Sequence, residues 1–225
     1  MHQKLQQYHN EILNKVNNTS SEIPAHRAAF KEGYSFSNEP FEKQLAIWNH
    51  VWKHSGNWRA MIHAYFFLEQ YVKKTELHAA IWETSKEWQQ QASSWDLCDC
   101  LAKINTKALE TFPGEVYKQL TLWNKDENPW MRRQSVVSLL YYSRTKKAFL
   151  PFSKIAALIT PLLTDKEYYV QKGVGWSLRE LHNVYPANTL SFLQKHIKSI
   201  SAIAFTTAIE KIREEEKDVL KKMRK

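Results

Sequence analysis

A carboxylate and an indole lie one helical turn apart in the segment that runs from Ser93 to Asp99. Trp95 and Asp99 are separated by four positions, so on a helix their side chains share one face. An aspartate stabilises a developing positive charge, and the face of an indole ring attracts cations. The spacing therefore predicts a site that handles positive charge, provided that this segment is helical.

Asp99 stands nearly alone as a catalytic candidate. Asp96 falls in the first turn of the same predicted helix, where a carboxylate complements the helix dipole, so we expect it to cap. Asp99 lies beyond that turn between apolar residues, where an aspartate can also serve structurally by bonding a neighbouring helix end. The sequence lacks the motifs of zinc proteases, serine hydrolases, phosphate-binding loops and cysteine–histidine metal sites. We expect no metal ion and no cofactor.

Composition favours a folded, basic chain. Apolar residues make up 43% of the 225 residues and aromatic residues 13%, which argues against disorder and predicts a single domain over residues 1–225. The formal net charge is +9, the sign expected for a protein that binds nucleic acid. Ordinary solvated lysines and arginines would give the same total, so charge alone does not assign the partner.

The location of the protein is predicted from two further features. The two cysteines, Cys98 and Cys100, point about 200° apart on a helix and read as reduced side chains beside the core. The sequence has neither an apolar signal segment after Met1 nor a run near the roughly 20 apolar residues that span a bilayer. We expect a cytoplasmic protein with no membrane association.

Helical spacing of apolar residues recurs along nearly the whole chain, whereas strand-like alternation is scarce, which predicts an all-α fold. The seven prolines divide the chain into helices of ordinary length. Gly173 and Gly175 lie within an apolar helical stretch, which favours close helix packing over a dinucleotide site. The predicted helices cover residues 2–17, 24–33, 40–54, 57–73, 76–91, 94–110, 114–124, 129–144, 152–163, 166–184, 188–196 and 200–222.

A weak internal repeat of about 35 to 40 residues links four of these helices, each of which begins with an aromatic residue. Repeats of that length are typical of HEAT or armadillo-like helix pairs, which stack into a curved α-solenoid. Charged residues recur near the start of the repeated helices: Arg59, Asp99, Arg132, Arg133 and Lys172. All but Asp99 are basic, and a basic stripe of this kind suits a phosphate backbone.

Three segments together resemble the signature segments of the AlkD-type DNA alkylation repair glycosylases. They occur in the order and at close to the spacing of that family, and the similarity covers roughly residues 77–212. The segments are Ser94-Trp95-Asp96-Leu97-Cys98-Asp99, Asn128-Pro129-Trp130-Met131-Arg132-Arg133, and the stretch from Val170 to Glu180.

The resemblance implies a HEAT-like solenoid that binds duplex DNA and excises positively charged N-alkylated purines without drawing the lesion into a deep pocket. It makes Asp99 the catalytic carboxylate and Trp95 and Trp176 the indoles that contact the sugar and backbone of the lesion. Arg133 matches the family arginine at this site and is expected to hold the lesion strand by a phosphate. The basic stripe, and not the resemblance, adds Arg132, Lys172 and Arg59 as expected DNA contacts. The expected protein is a monofunctional enzyme, monomeric and nucleoid-associated in a bacterial cytoplasm, with no obligate protein partner. Trp130 is expected to be structural.

The chain departs from the family pattern at its N-terminal region. A family tyrosine that faces the site is missing from residues 26–31, and Phe30 or Tyr34 is expected to replace it. The spacing between Arg133 and Trp176 is longer by a few residues around Thr145. Residues 204–207 lack an expected basic residue.

Two alternatives follow from these observations. Some members of the superfamily bind DNA without cleaving it, so the same basic groove also fits a non-catalytic protein that recognises branched or distorted DNA. A HEAT scaffold that binds another protein is the third interpretation, and it predicts no measurable affinity for duplex DNA.

Overall fold

The computed structural model describes residues 2–225, and helices are the only regular secondary structure in that range, which confirms the predicted all-α class. Short 3-10 turns at 75–77, 89–91, 143–145 and 160–162 extend or join the helices. The helices are α1 (His2–Asn17), α2 (Ile23–Lys31), α3 (Phe41–His54), α4 (Trp58–Tyr71), α5 (His78–Trp88), α6 (Trp95–Thr111), α7 (Pro113–Trp123), α8 (Pro129–Leu140), α9 (Phe152–Ile159), α10 (Tyr168–Val184), α11 (Pro186–Lys195), α12 (Ala202–Ala208) and α13 (Glu214–Arg224).

Most helix starts follow from local sequence signals. Pro113, Pro129 and Pro186 each occupy the first helical position, where a missing backbone N–H costs nothing. The side chains of Asn57 and Asn128 cap α4 and α8 by accepting a hydrogen bond from a backbone N–H two residues later.

Two predicted helices were wrong in their extent. The helix predicted over 129–144 ends at Leu140, because Tyr142 adopts a left-handed backbone conformation with φ of 47°. The helix predicted over 200–222 is divided into α12 and α13 by a turn that ends at the extended Arg213. The apolar spacing continues through this turn with Ile209 and Ile212, both buried, so periodicity alone does not reveal it. The turn allows α13 to pack against α11.

Contacts within the chain form two compact units, and the boundary between them along the chain falls between Ala92 and Ser93. In the first unit, α1 packs against α3 and α4, α2 packs against α4, and α3 packs against α5. Aromatic side chains dominate the core of this unit. Trp52 and Trp88 stack with ring centroids 4.4 Å apart, and both indole N–H groups donate hydrogen bonds within the unit. The expectation of one domain over residues 1–225 stays a prediction.

The second unit, residues 93–225, contains a layer in which α6, α8, α10 and α12 pack side by side in that order. Helices α7, α9 and α11 each pack against members of this layer, as expected for repeated helix pairs. Gly175 allows close contact between α10 and α12, because a Cβ atom there would lie 2.6 Å from the carbonyl oxygen of Ala204. Close packing is therefore the role of Gly175, as the sequence indicated.

Candidate active site

Helices α6, α8, α10 and α12 border a cleft of about 410 Å³ in the second unit. The four residues that the sequence grouped together all line it: Trp95 and Asp99 from α6, Arg133 from α8, and Trp176 from α10. The side-by-side packing of α6, α8 and α10 brings these residues together, although α6 and α10 are far apart in sequence. The rest of the lining consists of Tyr168, Tyr169, Lys172, Arg179, Thr207 and Glu210.

Asp99 is held at the floor of this cleft by an arginine. Arg133 Nη2 donates a hydrogen bond to Asp99 Oδ1 over 2.7 Å, and Arg133 Nη1 donates to the carbonyl oxygen of Tyr169 over 2.8 Å. The side chain of Asp99 is 30% exposed, whereas that of Arg133 is 7% exposed. One carboxylate oxygen is therefore fixed from the protein side, and the group still reaches the cleft.

The electrostatics of Asp99 result from opposing effects. Burial raises the pKa of Asp99, and the nearby carboxylate of Asp96 adds to that increase. The charge and hydrogen bond of Arg133 lower the pKa of Asp99, but the sum of these effects is an increase above the ordinary value. Arg133 therefore keeps a partly desolvated carboxylate ionised over a wider pH range than burial alone would allow.

Arg133 is buried, and its guanidinium group donates to Asp99 and to the Tyr169 carbonyl, so it orients the carboxylate. Its expected contact with a phosphate stays a prediction. Gly173 makes room for it, since a Cβ atom there would lie 3.2 Å from Arg133 Cγ and 3.3 Å from Nη1. Gly173 and Arg133 together act as a support for Asp99.

The two indoles differ in how they are presented. Trp95 begins α6 and is 52% exposed, which is unusual for a residue of this size. Trp176 is half-buried, with its ring centroid 5.4 Å from that of Tyr141. The guanidinium carbon of Arg179 lies 6.0 Å from the ring centroid of Trp176. One indole is thus open to a partner, and the other is held in place from the protein side.

Two comparisons with known proteins bear on this arrangement. The family model described as DNA alkylation repair enzyme matches residues 2–212. The chain belongs to the DNA alkylation repair enzyme family. Its fold is similar to that of AlkD2 from Streptococcus mutans, with a TM-score of 0.64 and 18% identity, covering 92% of this chain and 99% of that one. A predicted DNA alkylation repair enzyme from Enterococcus faecalis has the same TM-score at 19% identity, covering 86% of this chain and 87% of that one. No curated protein sequence matches.

The other basic residues predicted to contact DNA in this DNA alkylation repair protein differ in whether they line the cleft. Lys172 lines the cleft and is exposed. Arg132 is outside it: its Nε and Nη2 atoms donate to the carboxylate of Asp165 over 2.6 and 3.3 Å, and Nη1 donates to two backbone carbonyls. Arg59 belongs to the first unit, where its guanidinium carbon lies 5.1 Å from the ring centroid of Trp58. Of these three residues, only Lys172 joins the four central ones.

Arg179 was not predicted as a site residue. Its Nη1 donates to Glu210 Oε2 over 2.5 Å beside Trp176. Arg179 therefore places a basic residue near residues 204–207, the stretch in which the sequence lacks the expected one. The signal was available, since Arg179 lies on α10 one turn after Trp176, in a segment shared with the family.

The structure also adds Tyr142, which the predicted continuation of α8 concealed. Its left-handed backbone places a 45% exposed ring edge-on to Trp176, with ring centroids 6.3 Å apart. The backbone N–H and hydroxyl of Ser143 both donate to the buried carboxylate of Glu180, over 2.9 and 2.7 Å. The extra residues around Thr145 therefore form an anchored turn, and Tyr142 is held beside the cleft.

Phe30 and Tyr34, the expected replacements for the family tyrosine, both belong to the first unit. Tyr34 is 8% exposed, and its hydroxyl group is hydrogen-bonded to His63 Nδ1 over 2.5 Å. Phe30 is half-buried and packs against Trp48 and Phe66. Tyr34 is therefore a core residue, and its burial does not support the expectation that it replaces the family tyrosine that faces the site.

Within residues 2–225, no cluster of three or more histidine, cysteine or acidic side chains has the geometry to hold a metal ion. In the same range, no helix has the length and apolar character needed to cross a membrane.

Proposed function

We propose that this protein is a monofunctional DNA glycosylase that excises N3- and N7-alkylated purines from duplex DNA and leaves an abasic site. The observation that carries the proposal is one partly buried carboxylate, Asp99, held by Arg133 in a cleft bordered by exposed aromatic rings. We further propose that it acts as a monomer on chromosomal DNA in the cytoplasm.

The sparse set of reactive groups suits this reaction. An alkylated purine of this kind already carries a positive charge, so the C1′–N bond breaks with its electron pair passing to the base, without a general acid. The sugar that remains resembles an oxocarbenium ion, which a preorganised carboxylate stabilises. Water then adds to C1′, and the proton that it loses passes to Asp99 and on to solvent.

Aromatic groups assist the same charge development. The faces of Trp95 and Trp176 contribute cation–π stabilisation of about 0.5–2 kcal/mol each, depending on how far water is excluded. Lys172 is exposed at the cleft and is free to approach a phosphate, and Arg179 reaches one if the strand displaces Glu210. These two residues take the task that the resemblance gave to Arg133.

Tyr142 is expected to contribute to DNA binding at a cost in backbone strain. In the Tyr142→Asn variant we expect the affinity for duplex DNA to fall about tenfold, because a stacking surface is lost. The free energy of unfolding should not fall, since asparagine relieves about 1 kcal/mol of left-handed strain. Fluorescence anisotropy and urea denaturation measure the two quantities. A Tyr142→Phe control retains the ring and should bind as wild type does; a variant that loses stability but not affinity would make Tyr142 purely structural.

The proposal is tested by two duplexes that differ only in the charge of the lesion. The protein should release 7-methylguanine, which is cationic, and should not release O6-methylguanine, which is neutral. Chromatography of the released base and alkaline cleavage of the abasic strand measure the reaction. Salt-dependent duplex binding without release from either substrate would favour the non-catalytic DNA-binding alternative. No duplex affinity at all would favour a protein-binding scaffold.

A further inference from the structure

A second cavity, here called the α2–α4 cavity, lies entirely within the first compact unit and has a volume of about 530 Å³. It is bordered by the end of α2, residues 33–37, the first part of α3 and the end of α4. Its volume falls in the range of about 300–1,000 Å³ that is typical of small-molecule sites. None of the residues that line it belongs to the candidate active site.

Aromatic rings form much of the wall of the α2–α4 cavity. Phe30 and Tyr71 are half-buried, so part of each ring surface is available to a ligand. Tyr34 is hydrogen-bonded to the buried His63, and burial lowers the pKa of His63 to about 3, so this pair carries no charge, although Lys15 Nζ lies 5.1 Å from the Tyr34 ring centroid. The exposed parts of Phe30 and Tyr71 therefore offer the flat surfaces against which a planar ring stacks.

The charges that line the cavity favour an anion. Its one carboxylate, Glu69, is already paired with Arg27 over 2.5 Å, and the guanidinium group of Arg27 lies 4.2 Å from the ring centroid of Phe66. Lys31 and Lys73 also line the cavity, are exposed, and form no ion pair with any residue in the range 2–225. Two uncompensated positive charges thus remain at a cavity with aromatic walls.

Polar groups complete the lining. Gln44 is 7% exposed, and its amide nitrogen donates hydrogen bonds to the carbonyl oxygens of Ser37 and Glu39. This pair of hydrogen bonds ties the start of α3 to the preceding loop. A purely apolar ligand would form no ion pair or hydrogen bond with Lys31 or Lys73.

We propose that the α2–α4 cavity binds a nucleoside monophosphate unit, with the base against the aromatic wall and the phosphate near Lys31 and Lys73. A planar ring joined to an anion matches both features, and the net positive lining disfavours a cation. The unit is either a free nucleotide or an unpaired nucleotide of a DNA strand. The site does not depend on the proposed glycosylase activity, because it shares no residue with the cleft.

The test is calorimetric titration of the 225-residue protein with dAMP, with deoxyribose 5-phosphate and with deoxyadenosine. We expect dAMP to bind more tightly than either fragment, since each fragment lacks one of the two recognised groups. In the Lys31→Gln/Lys73→Gln double variant, affinity for dAMP should fall about tenfold or more. The matched control is Lys53→Gln/Lys86→Gln, which removes the same charge from two surface lysines of the same unit outside the cavity.

The outcomes separate the possible explanations. A single-stranded oligonucleotide that competes with dAMP identifies the strand as the source, and failure to compete identifies the free nucleotide; both agree with the proposal. Equal binding of dAMP and deoxyribose 5-phosphate would overturn base recognition. Equal weakening in the control variant, or no binding of dAMP, would overturn the site. Base release from alkylated duplex is measured separately, and its loss or retention has no bearing on these results.

Discussion

Replacing Asp99 with asparagine is expected to lower the single-turnover rate of base release from alkylated duplex DNA by about 10²–10³-fold. The substitution retains the size of the side chain and one hydrogen-bond acceptor for Arg133, but removes the negative charge that stabilises the sugar cation. Affinity for the intact duplex should not decrease, since a carboxylate in the cleft repels phosphates. A loss of rate without a loss of affinity is the signature of a group that acts in the transition state.

The matched control for this prediction is Asp96→Asn, one turn earlier on α6. Asp96 accepts hydrogen bonds from the hydroxyl group of Ser94 and from the backbone N–H of Leu97, so it caps the helix as the sequence indicated. We expect the rate of base release at neutral pH to change by no more than about twofold in this variant. Equal losses in the two variants would mean that α6 is merely destabilised, and would contradict the assigned role of Asp99.

Replacing Arg133 with glutamine is expected to move the acid limb of the activity profile upward by about 1–3 pH units. Arg133 lowers the pKa of Asp99, so without it burial raises that pKa further and Asp99 protonates at higher pH. Base release at neutral pH should fall, and it should recover as the pH is raised. Asp99→Asn should show no such recovery. Single-turnover rates measured across pH distinguish the two variants.

The free energy of unfolding should change with pH in the direction opposite to that of the rate of base release. The pKa of Asp99 in the folded state lies above its ordinary value of 3.8, so the folded state binds more protons than the unfolded state in the interval between the two values. The contribution of Asp99 to the free energy of unfolding therefore decreases as pH rises through that interval. The interval is wider in Arg133→Gln, so this loss of stability should extend to higher pH while activity increases.

Arg132→Gln is the control for Arg133→Gln, because it makes the same substitution at the next position. Arg132 is paired with Asp165, so its loss should reduce stability without moving the acid limb. The dependence of duplex affinity on salt should also be the same in Arg133→Gln as in wild type, since that guanidinium group is buried and bonded to Asp99 and the Tyr169 carbonyl. An unmoved acid limb in Arg133→Gln would contradict the effect of Arg133 on the pKa of Asp99. A reduced salt dependence of duplex affinity would instead indicate that Arg133 contacts a phosphate.

Much of the fold and the centre of the site follow from sequence periodicity. The four-residue spacing of Trp95 and Asp99 requires a shared helix face, and the repeat length brings α6, α8 and α10 side by side. These two regularities account for the convergence of the predicted residues on one cleft. They depend only on local backbone geometry and on the order of the helices.

The roles of the arginines could not be predicted in the same way. Arg132 and Arg133 are adjacent, so on α8 they point about 100° apart, and the partner of each depends on which neighbouring helix it faces. One meets Asp165 and the other meets Asp99, both more than 30 positions away in sequence. The end of α8 before Tyr142 could not be predicted for another reason. A tyrosine rarely adopts a left-handed backbone conformation, so its residue type gives no signal that the helix ends there.

The most direct test of the catalytic role of Asp99 is release of free base from a duplex that carries a single 7-methylguanine, measured for wild type and Asp99→Asn under single-turnover conditions. We expect release by wild type well above spontaneous depurination, an alkali-labile abasic site in the product strand, and a rate close to the spontaneous one for Asp99→Asn. Equal release by the two proteins would contradict the role of Asp99, and absence of release by wild type would contradict the proposed glycosylase activity.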